Sequence, residues 1–405
     1  MKNLIGLLAV ILTFASGCNS NNQKASETVL TLINHSSIVR NEVVEINLSR
    51  IAGKAELNMI GMGQIGKVPI EAIDEDNDGT TDQLLAHVNI PANESIELNL
   101  NDWQPNPAFQ KRTQAEISTA VGGAWKERKY LDGTGFKNVD FLSVPKAHTD
   151  HSWYIRYEGP GWENELVGYR FYLDWRNATD IFGKKVDTLV LQQVGQDGFD
   201  SYHEEEDWGM DILKAGKSLG IGSIGRINDE GVVEHFKKTD SVTCEITRNG
   251  YLSSSIETNY YGWDTSAGKC DLKSTLKINS GDRATIHKVS FGNEADNFCT
   301  GVVKHPAGEF FQASADEWGY IATFGAQTLF NDNLGMAIFY KTDQLLKVDT
   351  ADAYNQLLVF KPTESLEYQF LGAWEKEPNG IQTKEAFETY LNKKLTALHS
   401  PIEVK

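Results

Sequence analysis

The sequence predicts a mainly β protein: a large antiparallel, supersandwich-like β-sandwich with one short helix near the C-terminus. Three observations carry that expectation. Apolar and polar residues alternate with period two over 241–247, 270–278 and 283–291, as in strands with one face on a core and the other in water. Between the last two runs, Asn279-Ser280-Gly281-Asp282 has the residue types of a hairpin turn. Helical spacing is confined to 383–398, where Phe387, Tyr390, Leu391, Leu395 and Leu398 share a face behind Thr383 as N-cap, with Glu385 in the first turn. Further strands are expected at 167–174, 188–194, 336–340, 356–360 and 366–371.

Taken in chain order, the N-terminus is an export signal. Lys2 precedes an apolar run, 4–14, that is too short to span a bilayer and too apolar to begin a soluble domain. Small residues then lead into a cysteine in Ala15-Ser16-Gly17-Cys18. This pattern predicts a signal peptide over 1–17 and lipidation of Cys18, followed by a polar tether over 18–27. The mature protein is expected in the periplasm or on the outer membrane, touching membrane through its lipid alone. Strands at 29–32, 43–48 and 86–90 define an N-terminal β segment, 28–105, ended by Trp103-Gln104-Pro105-Asn106-Pro107. The main sandwich body, 106–405, is expected to be continuous with it.

Charge narrows the partners. Across 405 residues, 56 acidic side chains against 38 basic ones give a formal net charge of -18, which argues against binding nucleic acid or an anionic membrane by bulk electrostatics. A polyanionic substrate would need a local basic pocket. Beyond Cys18, the cysteines are Cys244, Cys270 and Cys299, without the spacing of a zinc site. Cys244 with Cys270 is the first choice for a disulfide, because both lie at or in alternating, strand-like runs.

Two constellations could carry chemistry. Asp74, Asp76, Asp78 and Asp82, with Gly79, stand in the order D-x-D-x-D-G-x-x-D, the first part of a calcium loop, but Leu85 occupies the position of the usual bidentate glutamate. A structural calcium site and a solvated acidic turn both fit, and no cofactor is required. The richer stretch runs from His148 to Gly225. It holds His151, Arg156, Trp162-Glu163-Asn164 and Arg170, then Tyr202-His203, Asp207-Trp208, Asp211 and Lys214. Histidine, arginine and aromatic residues delivered on loops suit a sugar cleft, in which rings stack on pyranose faces, arginine clamps a carboxylate or sulfate, and His or Tyr moves protons.

Trp162-Glu163-Asn164 followed by an aromatic-rich strand, Tyr202-His203 with Asp207, Gly209 and Asp211, and Lys217-Ser218-Leu219-Gly220-Ile221-Gly222-Ser223 resemble a family of bacterial envelope proteins catalogued as a domain of unknown function. Its members are encoded in polysaccharide-utilisation loci, and it looks related to dehydratases that act on oligosaccharides of ulvan, a sulfated polymer of rhamnose and uronic acid. The resemblance implies a mutarotase- or lyase-like sandwich, an acidic or sulfated oligosaccharide as partner, and a carbon-oxygen lyase that leaves a 4,5-unsaturated uronate. In such an elimination, His203 or His151 would take the C5 proton and Tyr202 or the other histidine would protonate the departing oxygen. Arg156 or Arg170 would neutralise the carboxylate. Trp162, Glu163, Asn164, Asp207, Trp208, Asp211 and Lys214 would bind substrate. The rival readings are a hydrolase using a carboxylate pair from Glu163, Asp207 and Asp211, and a non-catalytic glycan-binding surface lipoprotein.

Overall fold

The computed structural model describes residues 29–48, 59–76, 78–197 and 201–405. Cys18 and the apolar leader lie outside the described residues. The fold is mainly β, and every strand pairing within its sheets is antiparallel. A nine-stranded sheet runs in the order Phe141–Ser143, Ser241–Asn249, Ser253–Thr265, Gly268–Asn279, Thr285–Ala295, Thr363–Trp374, Asn333–Lys341, Trp318–Ala326, Gly308–Ala315. Alternation explains its inner face. On the fourth strand, Leu272, Ser274, Leu276 and Ile278 point into the core, while outward Lys273 pairs with Glu257 of the neighbouring strand at 3.1 Å.

Two five-stranded sheets cover that inner face. One runs Gly209–Asp211, Thr179–Lys184, Gly168–Phe171, Gly161–Asn164, Thr113–Glu116. The other runs Val233–Glu234, Ile221–Ile227, Phe298–Val303, Asn355–Phe360, Leu345–Asp349. An isolated parallel bridge between Thr179 and Gly220 joins them. Trp162, Tyr169, Ile181, Ile224, Phe298, Leu276, Ile338 and Phe370 meet in one continuous core, which makes the body a sandwich.

The helix Lys384–His399 lies on the outer face of the nine-stranded sheet. Thr383 caps it by accepting the Ala386 N–H at 3.2 Å, and Phe387, Leu391 and Leu395 pack on Tyr320, Phe324 and Phe339. Residues near the N-terminus form a separate β-sandwich core around Leu32, Val44, Ile70, Leu84 and Val88. The last strand, Glu403–Val404, returns to pair with Val29–Ile33 of this smaller lobe.

Two expectations are corrected here. Residues 188–194 are not a strand. Their backbone groups serve side chains instead, with the N–H groups of Val190 and Leu191 donating to Glu163 and the carbonyls of Leu191, Gln192 and Val194 accepting from Arg156. The Cys244–Cys270 disulfide is also absent, and Cys244, Cys270 and Cys299 are free thiols. A whole strand, Ser253–Thr265, separates the first two, and Cys244 stands opposite Thr258 whereas Cys270 stands opposite Trp263. Two strand spacings come to roughly 10 Å, beyond the Cα separation a disulfide can bridge. Burial pushes the Cys244 thiol up to about 12, so it is inert in the fold. Alkylation of the unfolded, unreduced protein should therefore label all three cysteines in a peptide map; recovery of a linked Cys244 and Cys270 peptide would contradict this arrangement.

Candidate active site

The small sheet bearing Thr179–Lys184 and Gly168–Phe171 is buried on both faces. Tyr169, Phe171 and Ile181 point into the sandwich core, so period two sends Arg170, Asp180, Phe182 and Lys184 to the opposite face. There Phe182 packs with Tyr157, Val190, Leu191, Val194 and Tyr202, which come from loops that cover the face. Charged residues are thus held in a dry layer between sheet and loops, where each requires a partner.

Arg170 is the hub. Its side chain is 2% exposed, and Nη2 donates to Asp180 at 3.0 Å and to Asp211 at 2.7 Å. Nη1 donates to the Tyr202 hydroxyl at 2.7 Å and to the Tyr157 carbonyl at 3.2 Å. The Tyr172 hydroxyl donates to Asp180 Oδ2, which therefore takes two donors while Oδ1 takes none. Burial first, and then the neighbouring Asp211, push Asp180 up to about 7 against the pull of Arg170. A proton on Asp180 belongs on the unpartnered Oδ1.

This network borders a cavity of about 470 Å³, which is lined by Tyr172, Asp180, His203, Asp211, Lys214 and, on its apolar side, Leu329 and Phe330. That volume falls in the range of small-ligand sites. His203 is 43% exposed, and its Nε2 lies 3.5 Å from Asp211 Oδ2, a long approach of the kind that tightens when substrate is bound. The His203 ring rests on Tyr202 at 4.6 Å. Lys214 is exposed and, among the described residues, has no carboxylate partner.

Several expected site residues sit elsewhere. Arg156 is 1% exposed, paired with Glu116 and three carbonyls, so it cannot reach a ligand. Arg170 lies within the network rather than on the cavity wall. Tyr202 is buried beneath His203, and burial holds its phenol well above its ordinary value. Trp162 is a core residue, stacked on Tyr169 and bonded to Thr285 at 2.8 Å. Glu163 forms a fully buried pair with Lys184 at 2.8 Å, and Asn164 ties down the hairpin turn through the carbonyls of Asn279 and Asp282. Asp207 is exposed, and Trp208 packs on Phe182; neither lines the cavity.

His151 stands apart from the cavity but is linked to it. Its backbone N–H donates to Glu158, Glu158 pairs with Arg176 at 3.0 Å, and the Arg176 guanidinium covers the Tyr172 ring at 3.8 Å. His151, Trp153, Tyr157 and Glu158 all have positive φ, a concentration of backbone strain found at sites that must be held in one geometry. Asp150, His151 and Glu158 could together face a metal ion, but Arg176 already pairs with both carboxylates. In the acidic loop Asp74, Asp76 and Asp78 converge, whereas Asp82 turns to accept the Glu75 N–H at 2.7 Å. Three of the four expected aspartates thus converge, and each of the three also accepts a backbone N–H.

Sequence reasoning missed Asp180, Tyr172 as a cavity residue, and the Leu329-Phe330 wall. A signal for the first existed: Arg170 is the one charge of its apolar strand and Asp180 the one acid of the next, and opposite charges so placed imply one another. They face each other across the ladder.

The raised Asp180 value has a measurable consequence. Protonated Asp180 contributes stability that is fully present below its ordinary value of 3.8 and is lost as pH rises through about 7. Asp180→Asn stays neutral, so its melting temperature should gain on the parent protein between about pH 4 and about pH 8. A difference that stays constant across that range in calorimetry would contradict the assignment.

Fold and site together define a β-sandwich protein whose smaller sheet carries a loop-covered ionic cavity. A family profile described as Domain of unknown function (DUF4861) matches residues 32–404, and the chain belongs to that family. No curated protein sequence matches it. Among solved structures, an alpha-mannosidase from Enterococcus faecalis V583 aligns over 93% of this chain and 45% of its own, at 10% identity and a TM-score of 0.32. A protein in the glycosyl hydrolase family 38 from Enterococcus faecalis aligns over 93% and 47%, at 8% identity and a TM-score of 0.35. The chain spans less than half the length of either, and likeness at that level carries no argument.

Proposed function

We propose that this protein is a carbon-oxygen lyase that removes water, or a sugar, from a uronic-acid-containing oligosaccharide such as those of ulvan, leaving a 4,5-unsaturated uronate. One observation carries the reading: an exposed histidine, an unpaired lysine and a carboxyl group poised near neutrality line one cavity. Elimination requires those three parts. Lys214 neutralises the substrate carboxylate and makes the C5 proton acidic. His203 takes that proton, and Asp211 stabilises the imidazolium that forms. Asp180 carries the proton for the C4 oxygen on Oδ1, an atom enclosed in the free protein. Substrate entry must therefore turn the carboxyl into the cavity before it protonates the oxygen as the C4–O bond breaks and the C4–C5 double bond forms. The proton gained by His203 returns to Asp180 through solvent, and no covalent intermediate is involved.

Hydrolysis by a carboxylate pair fits less well. Asp180 and Asp211 converge on one nitrogen of Arg170, so a guanidinium stands where a scissile bond would have to lie. The reading extends to an enzyme exported from the cytoplasm to the periplasm or outer membrane and anchored by lipid on Cys18. Calcium at Asp74, Asp76 and Asp78 would brace that loop, and no step of the reaction passes through it. Absorbance in the ultraviolet band of unsaturated uronates, followed during incubation with defined uronate oligosaccharides, tests the chemistry. Elimination raises it; scission without such a rise would replace this reading with hydrolysis.

A further inference from the structure

Trp175 stands on the same loop as Tyr172 but opens onto two other cavities, of about 530 and 520 Å³, which share Trp175 and Lys237 as walls. The second of these reaches Lys217, adjacent in sequence to Gly216 on the wall of the His203 cavity. Trp175 is 39% exposed, yet its ring is held edge-on by His235 at 5.9 Å, and His235 is fixed in turn by the Arg176 carbonyl at 2.9 Å. An indole held in place with one face open is pre-arranged to stack on a flat apolar surface such as a sugar ring.

The charges around it are lopsided. Among the described residues, Arg128 and Lys146 on one side of Trp175, Lys237 beside it and Lys217 beyond it have no carboxylate partner. Three of the four acids on the same walls are paired with cations, Asp174 with Arg176 at 2.5 Å, Asp240 with Lys269 at 2.5 Å and Asp264 with Lys238 at 3.6 Å. The fourth, Asp352, is occupied in accepting the N–H groups of Tyr354 and Asn355 and the Asn355 side-chain amide. In a chain of net charge -18, this is a local basic groove around an aromatic platform.

We infer that the groove is a distal subsite for an acidic oligosaccharide: Trp175 stacks on one sugar ring while Lys217, Lys237, Lys146 and Arg128 hold carboxylates or sulfate esters on that ring and its neighbours. The inference rests on the function proposed above and extends it, because it makes the preferred substrate an oligomer that reaches from His203 past Trp175. A duplex nucleic acid is disfavoured by the repulsive field of the whole chain.

Calorimetric binding of a 4-linked uronate tetrasaccharide, beside its carboxyl-reduced neutral counterpart, tests it. The acidic form should bind, with affinity falling as salt screens the groove. The double variant Lys217→Ala/Lys237→Ala and the single variant Trp175→Ala should each weaken it about tenfold or more, while Trp175→Phe keeps most of it. Equal binding of the neutral counterpart, or full affinity in both alanine variants with unchanged melting temperature, would overturn the subsite. Tight, salt-sensitive binding without any unsaturated product would sink the lyase reading and leave the subsite standing.

Discussion

Replacing Arg170 by methionine should destabilise the protein by about 3–5 kcal/mol, read as a shift in the urea midpoint, because it strands buried carboxylates without their cation. Asp180 and Asp211 are each about 1% exposed, and both take their charge-assisted hydrogen bonds from the same guanidinium nitrogen. Tyr202 and the Tyr157 carbonyl would lose their donor as well. Adding Asp180→Asn and Asp211→Asn to Arg170→Met should recover a large part of the loss, since the penalty lies mainly in the unpaired charge rather than in the absent bond. A single-variant loss below about 1 kcal/mol would mean that water reaches this layer and that the cavity floor is not dry.

The second large effect is on rate. On a proven substrate His203→Ala should lower kcat by roughly 10²–10⁴, the usual share of a proton-transfer group, with little change in melting temperature. The separation of the two readouts follows from position: the ring is 43% exposed and rests on Tyr202 without burying a charge. Glu163→Gln and Arg156→Ala should show the opposite behaviour, with stability lost first, because each breaks a buried pair away from the cavity. If His203→Ala kept near-full turnover while Asp180→Asn abolished it, a carboxylate-centred reaction would take the place of the one proposed.

How far the sequence foretold this can be traced residue by residue. The period-two runs and the 279–282 turn located the nine-stranded sheet because each of those strands has one wet face, and the Thr383 cap located the helix. The strands that bear the site were harder to read. Thr179–Lys184 is buried on both faces, so its alternation carries no polar-out signal, and its acid looks like an anomaly in an apolar run. Residues 188–194 mislead for the same reason, since apolar content alone does not say whether backbone groups will serve a sheet or buried side chains. His203 and Lys214, which the structure places on one cavity wall with Asp211, stood out in the sequence because loops have no packing reason to gather such groups. Arg156, Trp162 and Glu163 were drawn into the same list by residue type, and only their burial separates support from chemistry. Leu329 and Phe330 come from a turn more than a hundred residues further along the chain, a juxtaposition that no local pattern encodes.

The most direct test of the central claim is the mass of the product formed from a uronate oligosaccharide in heavy-oxygen water. The account predicts a product lighter by one water, or two fragments of which one is unsaturated, with no heavy oxygen incorporated and with formation strongly reduced in His203→Ala. Fragments carrying one heavy oxygen, formed at the same rate by His203→Ala, would contradict it.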